Sequence, residues 1–140
     1  HHPPRDVIVE RAVELAEERL QSGEESGYFF LFAESEGKTL AYACYGPVAG
    51  SEGSFDLYWI ATDNAYRGGG IGKRLLSEVH RAIRRMGGRL VVAETSTLEK
   101  YEPTRRFYLQ CGYRDEARIE DFYKPGDGKV FFVKRLTEPE

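Results

Sequence analysis

Two periods of apolar and polar positions run along the chain, and each change of period marks a new element. "RDVIVERAVELAEERLQ" has apolar residues at 8, 9, 12, 13, 15, 16 and 20, which is helical spacing. With Asp6 as N-cap and Gly23 as stop, a helix is expected over 6–21. "YFFLFAE" and "TLAYACYG" read as strands, and the turn signal "EGK" between them makes a hairpin. "PVAGSEGS" is a loop. "FDLYWIAT" alternates, with Asp56, Tyr58, Ile60 and Thr62 on one face and Leu57, Trp59 and Ala61 on the other. The helical period then returns. It puts Ile71, Leu75, Val79, Ala82, Ile83 and Met86 on one face and His80 on the polar flank. Gly87 and Gly88 end this helix, and Arg81, Arg84 and Arg85 suit the negative end of its dipole. "RLVVAET" is a strand. "PTRRFYLQC" is a short helix with Pro103 in its first turn and Gly112 past its end. Two final strands, "YRDEARIEDFY" and "KVFFVKRL", are joined through the turn signal "KPGDG".

This order predicts an α/β (α+β) domain with a mixed, mainly antiparallel central sheet. Residues 55 to 95 form one strand–helix–strand unit, which supplies the parallel pair. One domain accounts for residues 3–140, and His1 and His2 are compatible with the end of a purification tag. Apolar and charged residues make up 41% and 31% of the chain, proportions of an ordinary soluble globular protein. The net charge of −3 gives no global bias toward nucleic acid or anionic membranes. No apolar run approaches the roughly 20 residues of a membrane span, and no signal peptide is found. Two cysteines, Cys44 and Cys111, make no disulfide framework and fit a reducing cytoplasm. No cluster of His and Cys has metal-ligand spacing, so no metal is expected.

The stretch that carries chemistry is "RGGGIGKRLL", residues 67 to 76. It lies between the end of a strand and the first turn of a helix. The first N–H groups of a helix lack internal partners and sit at the positive end of its dipole. Glycine lets an anion approach that backbone closely, so the run reads as a phosphate cradle. Arg67, Lys73 and Arg74 add charge beside it. A nucleotide P-loop is excluded, because Arg67 stands where its first glycine is required and Arg74 where its Ser or Thr would hold magnesium. The dinucleotide pattern G-x-G-x-x-G fails at Lys73. What fits is R-x-x-G-x-G, with Arg67, Gly70 and Gly72.

On these residues the chain resembles the GNAT N-acetyltransferase superfamily. "LYWIATDNAYRGGGIGKRLL" is similar to that family's strand, loop and cofactor helix in one piece. "PTRRFYLQCGY" is similar to its later helix, and "DFYKPGDGKVFFVKRL" to the closing hairpin of one bacterial branch. The resemblance covers residues 28 to about 136. It implies a GNAT-like fold in which two strands splay and the pantetheine arm of acetyl-CoA lies between them. Backbone groups of Ile60, Ala61 and Thr62 then hold the arm. Arg67, Gly68, Gly69, Gly70, Ile71, Gly72 and Lys73 hold the pyrophosphate, and Thr104, Phe107 and Tyr108 complete the cofactor side. The family usually begins with a strand before the helix placed here at 6–21, so that first strand is expected to be missing.

Acetyl transfer needs an amine that loses a proton, a stabilised thioester oxygen and a protonated leaving thiolate. Tyr108 matches the family's general-acid tyrosine. Asp56 and Glu94 are the carboxylates for the base. Tyr58, which shares the face of Asp56 by alternation, and Tyr123, beside Glu120 and Asp121, join Glu94 in lining an acceptor pocket. Neither cysteine has an evident histidine partner, which favours direct transfer in a ternary complex. The expected reaction is therefore acetyl transfer to the primary amine of a small or amino-acid-like acceptor, with a protein or peptide amine as a variant. The expected partners are acetyl-CoA and that amine, not nucleic acid or membrane. A homodimer through an exposed last strand is compatible with the pattern. The competing reading is a non-catalytic acyl-CoA-binding domain, which needs the glycine loop but not Tyr108, Asp56 or Glu94.

Overall fold

The computed structural model describes residues 8–11 and 27–136. Among these, seven strands form one sheet in the order β1-β2-β3-β4-β5-β7-β6. They are β1 (Ile8–Arg11), β2 (Phe29–Ser35), β3 (Lys38–Pro47), β4 (Ser54–Thr62), β5 (Leu90–Ser96), β6 (Arg114–Lys124) and β7 (Asp127–Arg135). Two α-helices interrupt them, α1 (Ile71–Arg85) and α2 (Glu102–Gln110). Every neighbouring pair of strands is antiparallel except β4 and β5. The mixed α/β sheet expected from the sequence is present, and its parallel pair comes from the strand–helix–strand unit.

The start of the chain departs from expectation. Ile8–Arg11 pairs antiparallel with β2, Ile8 opposite Glu34 and Arg11 opposite Leu31. The helix expected from residue 6 therefore does not begin there, and the first strand, expected to be missing, is present. The sequence "VIVE" satisfies both periods. β-branched residues prefer the pleated surface, and the free edge of β2 offers ladder bonds that decide between them. The remainder of the expected helix lies outside the described residues. At the other edge, β6 rather than the last strand is the outermost, and all of its residues are exposed.

The β2–β3 hairpin turns through Glu36 and Gly37, both at positive φ, as a two-residue turn between right-twisted strands requires. Helix α1 packs one face on the sheet through Leu75, Leu76, Val79 and Ile83, all fully buried. Burial of each such side chain is worth about 1.5–3 kcal/mol. The helix ends where Gly87 takes φ 82° and the Gly88 N–H donates to the Ile83 carbonyl at 2.9 Å, a Schellman closure. Met86, expected on the buried face, lies past that end and is exposed.

His80, expected on the polar flank, is buried at 2% exposure, and its Nε2 lies 2.6 Å from the Tyr113 hydroxyl. Its position follows Leu76 by four residues, so it falls within the apolar stripe. Burial, and then the charges of Lys134 and Arg84, lower its pKa from 6.5 to about 3. The unfolded chain thus binds a proton below pH 6.5 that the folded chain refuses. Stability contributed by neutral His80 is complete above pH 6.5 and is lost as pH falls toward about 3. Denaturant titrations from pH 7 to pH 4 should show an acid slope approaching about 1.4 kcal/mol per pH unit from this group. His80→Gln should flatten the slope, and an unchanged slope would remove His80 as its cause.

Candidate active site

Strands β4 and β5 pair only from Ser54–Leu90 to Leu57–Ala93. Beyond that point β4 runs on to Thr62 beside β3, and β5 runs on to Ser96 beside β7. The sheet therefore opens in a V, and the edge of β4 from Trp59 to Thr62 that faces the opening has no ladder partner on β5. An unpaired edge offers N–H and C=O groups to an extended ligand.

A β-bulge divides β4 at the same place. Cys44 is opposite Trp59 and Tyr45 is opposite Leu57, so Tyr58 is the extra residue. The bulge reverses the alternation expected from the sequence. Asp56 now shares a face with Trp59 and Ala61, while Ile60 and Thr62 share the helix-covered face with Leu57. The phase of the alternation thus changes at Tyr58, and Asp56 is turned away from the face of Ile60 and Thr62.

On the helix-covered side lies a groove of about 660 Å³. Its walls are Ile60, Ala61 and Thr62 of β4, Arg67, Gly68, Gly70, Gly72 and Lys73 of the glycine run, and Thr104 and Phe107 of α2. These ten predicted residues are brought together. Tyr66, Pro103, Gln110 and Cys111 also line it and were not anticipated. Their helical spacing with Phe107 is the signal that could have found the last two. Gly69 and Ile71 belong to the same run without lining the groove, Ile71 being buried in the core.

The chain enters this run from a 3₁₀ turn, Asn64–Tyr66, whose N-cap Asp63 accepts from the Ala65 N–H at 2.9 Å. Gly68 and Gly70 sit at φ 81° and 84°, a region that other residues enter only at a cost. Gly70 caps α1, with no side-chain cap and no acidic residue in the first turn. Among the described residues, the N–H groups of Gly70, Ile71, Gly72 and Lys73 donate to no carbonyl, whereas Arg74 N–H closes on the Gly70 carbonyl at 3.0 Å. These orphan donors, the helix dipole and the cations Arg67 and Lys73 converge on one spot, which suits a phosphate. At Gly72 a Cβ would stand 3.3 Å from Thr62 Oγ1 and 3.5 Å from the Phe107 ring, so glycine also keeps the groove open between β4 and α2.

Arg105 and Arg106 do not join this anion site. Arg105 donates to the carbonyls of Ser96 and Leu98, and Arg106 pairs with Glu102. Tyr108 does not line the groove. Its ring packs against Phe107, Tyr113 and Phe132, and burial, with Cys111 adding to it, pushes its pKa up to about 12. No hydrogen bond ties its hydroxyl among the described residues, and that oxygen is not sealed off. Burial likewise raises the Cys111 thiol, against the opposing charges of Lys73 and Lys134.

The other face of the V carries the carboxylates. Register places Asp56 opposite Val92, Glu94 opposite Phe131 and Ser96 opposite Lys129, so Asp56, Glu94 and Lys129 share one face. Glu94 is ion-paired with Lys129. The Asp56 carboxyl is raised above its usual value by burial first and then by the charge of Glu94, with Lys129 acting against both. Tyr58 is exposed on the bulge, with its ring edge-on to Tyr28 at 5.1 Å. Tyr123 is half-exposed, and the Lys129 ammonium lies 6.0 Å from its ring centre. Glu94 and Tyr123 are thus joined through Lys129, a residue the sequence reading did not single out.

Residues 26–115 match the family model described as Acetyltransferase (GNAT) domain. Comparison with curated proteins finds no match. Among solved structures, one protein from Desulfovibrio desulfuricans, assigned to the GNAT acetyltransferases, is 44% identical over 85% of this chain and 74% of its own, with a TM-score of 0.78. An aminoglycoside 6'-N-acetyltransferase complexed with coenzyme A is 17% identical over 89% of this chain and 81% of its own, with a TM-score of 0.70. The Salmonella typhimurium protein yncA, with its cofactor acetyl-CoA, is 22% identical over 89% of this chain and 71% of its own, with a TM-score of 0.68. The open V and its helix-capped groove are the architecture of an acyltransferase, and the family follows from the match. This chain belongs to the GNAT acetyltransferases.

The carboxylate pair makes a direct test of the charge arrangement. Glu94→Gln removes the repulsion that helps hold the Asp56 proton, so the Asp56 pKa should fall. Lys129→Met should raise it. Carboxyl-carbon NMR titration of the two variants reads both directions, and an Asp56 that titrates identically in all three proteins would contradict the shared face.

Proposed function

We propose that the chain moves the acetyl group of acetyl-CoA onto the primary amine of a small or amino-acid-like acceptor, by direct transfer in a ternary complex. The observation that carries this reading is the open N-terminus of α1 aimed into a groove walled by the segment of β4 that runs on beyond its pairing with β5. The pyrophosphate lies on the orphan N–H groups of Gly70, Ile71, Gly72 and Lys73, with Arg67 beside it. The pantetheine arm pairs with the free edge of β4 at Ile60, Ala61 and Thr62, which brings the thioester into the V. A backbone N–H of that edge stabilises the thioester oxygen.

The amine approaches from the opposite face, where Asp56 accepts its proton, directly or through water, with the charge of Glu94 beside it. Asp56 is the better placed as base, because its burial and the neighbouring Glu94 raise its proton affinity. The neutral nitrogen attacks the carbonyl carbon, the carbon–sulfur bond breaks, and the thiolate takes a proton from Tyr108. A buried phenol held at about 12 remains protonated until that charge develops. Neutral cysteines at 44 and 111, each raised by burial, agree with direct transfer rather than an acyl-cysteine. A reducing cytoplasmic setting suits the same two thiols, and β6 is the edge through which two copies would pair.

Calorimetry should give micromolar CoA binding that falls about a hundredfold or more in Gly72→Leu, whose side chain would fill the gap between Thr62 and Phe107. Tyr108→Phe should keep CoA affinity and lower kcat about a hundredfold. CoA binding without turnover on any amine in a broad screen would instead favour a non-catalytic acyl-CoA-binding domain. Absence of CoA binding would overturn both readings.

A further inference from the structure

The acceptor face already holds a cation. The Lys129 ammonium pairs with Glu94 and stands 4.2 Å from the centre of the Phe122 ring, 5.2 Å from Phe131 and 6.0 Å from Tyr123. Its side chain is only 15% exposed. Aromatic faces and a carboxylate together make a seat for an alkylammonium group. The seat is built and not incidental. Phe131 and Glu94 are opposite one another on β7 and β5. Phe122 and Tyr123 belong to an irregular stretch of β6, where residues 120–123 face the single Gly128 of β7. That stretch is held in shape at both ends. Asp121 takes φ 56° and accepts from the Gly126 N–H at 2.7 Å, while Gly128 exchanges hydrogen bonds with Thr97 at 2.8 and 2.9 Å.

A seat of this kind stabilises the protonated form of whatever amine fills it. Acyl transfer requires the neutral amine. The amine in the seat is therefore not the one that reacts. The seat reads a second cation, a short distance from Asp56, the carboxylate that serves the reacting nitrogen. We propose that the acceptor is a diamine or a molecule with two equivalent cationic groups, and that its non-reacting ammonium displaces Lys129 from Glu94, Phe122, Phe131 and Tyr123. Lys129 is thus a built-in competitor that fills the seat when no acceptor is present and sets a threshold for monoamines. The inference rests on the acetyltransferase reading for the identity of the face, but its test reads binding alone.

The probes are 1,4-diaminobutane and butylamine, titrated by calorimetry into CoA-loaded wild type, Lys129→Met and the double variant Lys129→Met/Glu94→Gln. Circular dichroism and CoA affinity establish that each variant is folded and loaded, and Lys129→Gln replaces Lys129→Met if the latter is not. Emptying the seat should tighten diaminobutane binding about tenfold or more, leave butylamine changed much less, and the gain should vanish in the double variant. Equal diaminobutane binding in wild type and Lys129→Met, or no binding in either, would overturn the proposal. So would incubation with acetyl-CoA that places an acetyl group on Lys129 in wild type, since the seated amine would then be the reacting one. Failure of CoA loading would count separately, against the acetyltransferase reading.

Discussion

Everything functional in this molecule depends on two strands that stop pairing. β4 and β5 are parallel neighbours for four residues each and then part. A continuous ladder would satisfy the backbone of both and leave a closed sheet with nothing to bind. The break costs those hydrogen bonds and leaves polar groups that need another partner. The outer sides of both strands stay paired, β4 with β3 across the bulge and β5 with β7, so the opening is stable without being filled. The core beneath it, from Leu57 and Ala93 to Val79 and Phe132, keeps the root of the V rigid.

The bulge at Tyr58 and the start of α1 are placed relative to that opening. The bulge separates Asp56 from Ile60 and Thr62, which simple alternation would place on one face. The helix-covered face then presents Ile60 and Thr62 to the groove that ends at the orphan N–H groups of α1. The far face presents Asp56 to Glu94 and Lys129. On the proposed reading, an anionic donor and a cationic acceptor are thereby kept on separate sides, each against charge of the opposite sign. They meet only in the gap between the strands. This arrangement protects each half of the site from the charge of the other.

Much of this was legible in the sequence because local rules govern it. The glycine run, its flanking cations and the two helical periods have mechanisms that act over a few residues, and the structure assembles ten of the predicted groove residues at one site. What escaped depends on pairing between distant segments. The register of β4 against β3 decides that Tyr58 is extra, and no periodicity within "FDLYWIAT" contains that information. The free edge of β2 decides that Ile8–Arg11 is a strand. His80 is polar by type, and only the arrival of Tyr113 from 33 positions away gives it a buried partner. Nothing within "KVFFVKRL" marks Lys129, whose partners come from β5 and the irregular part of β6.

The extra residue in β4 has a consequence for how such a site can diversify. On an unbroken strand the residues of the two faces are interleaved, and any shift of register moves both together. With the seam at Tyr58, the segment before it can exchange its outward side chain at Asp56 while Phe55 and Leu57 stay in the core and the segment after it keeps its alignment with β3 and with the mouth of α1. One strand thereby carries two sets of outward positions whose phases are set separately, so side chains on the far face can change without disturbing those that line the groove.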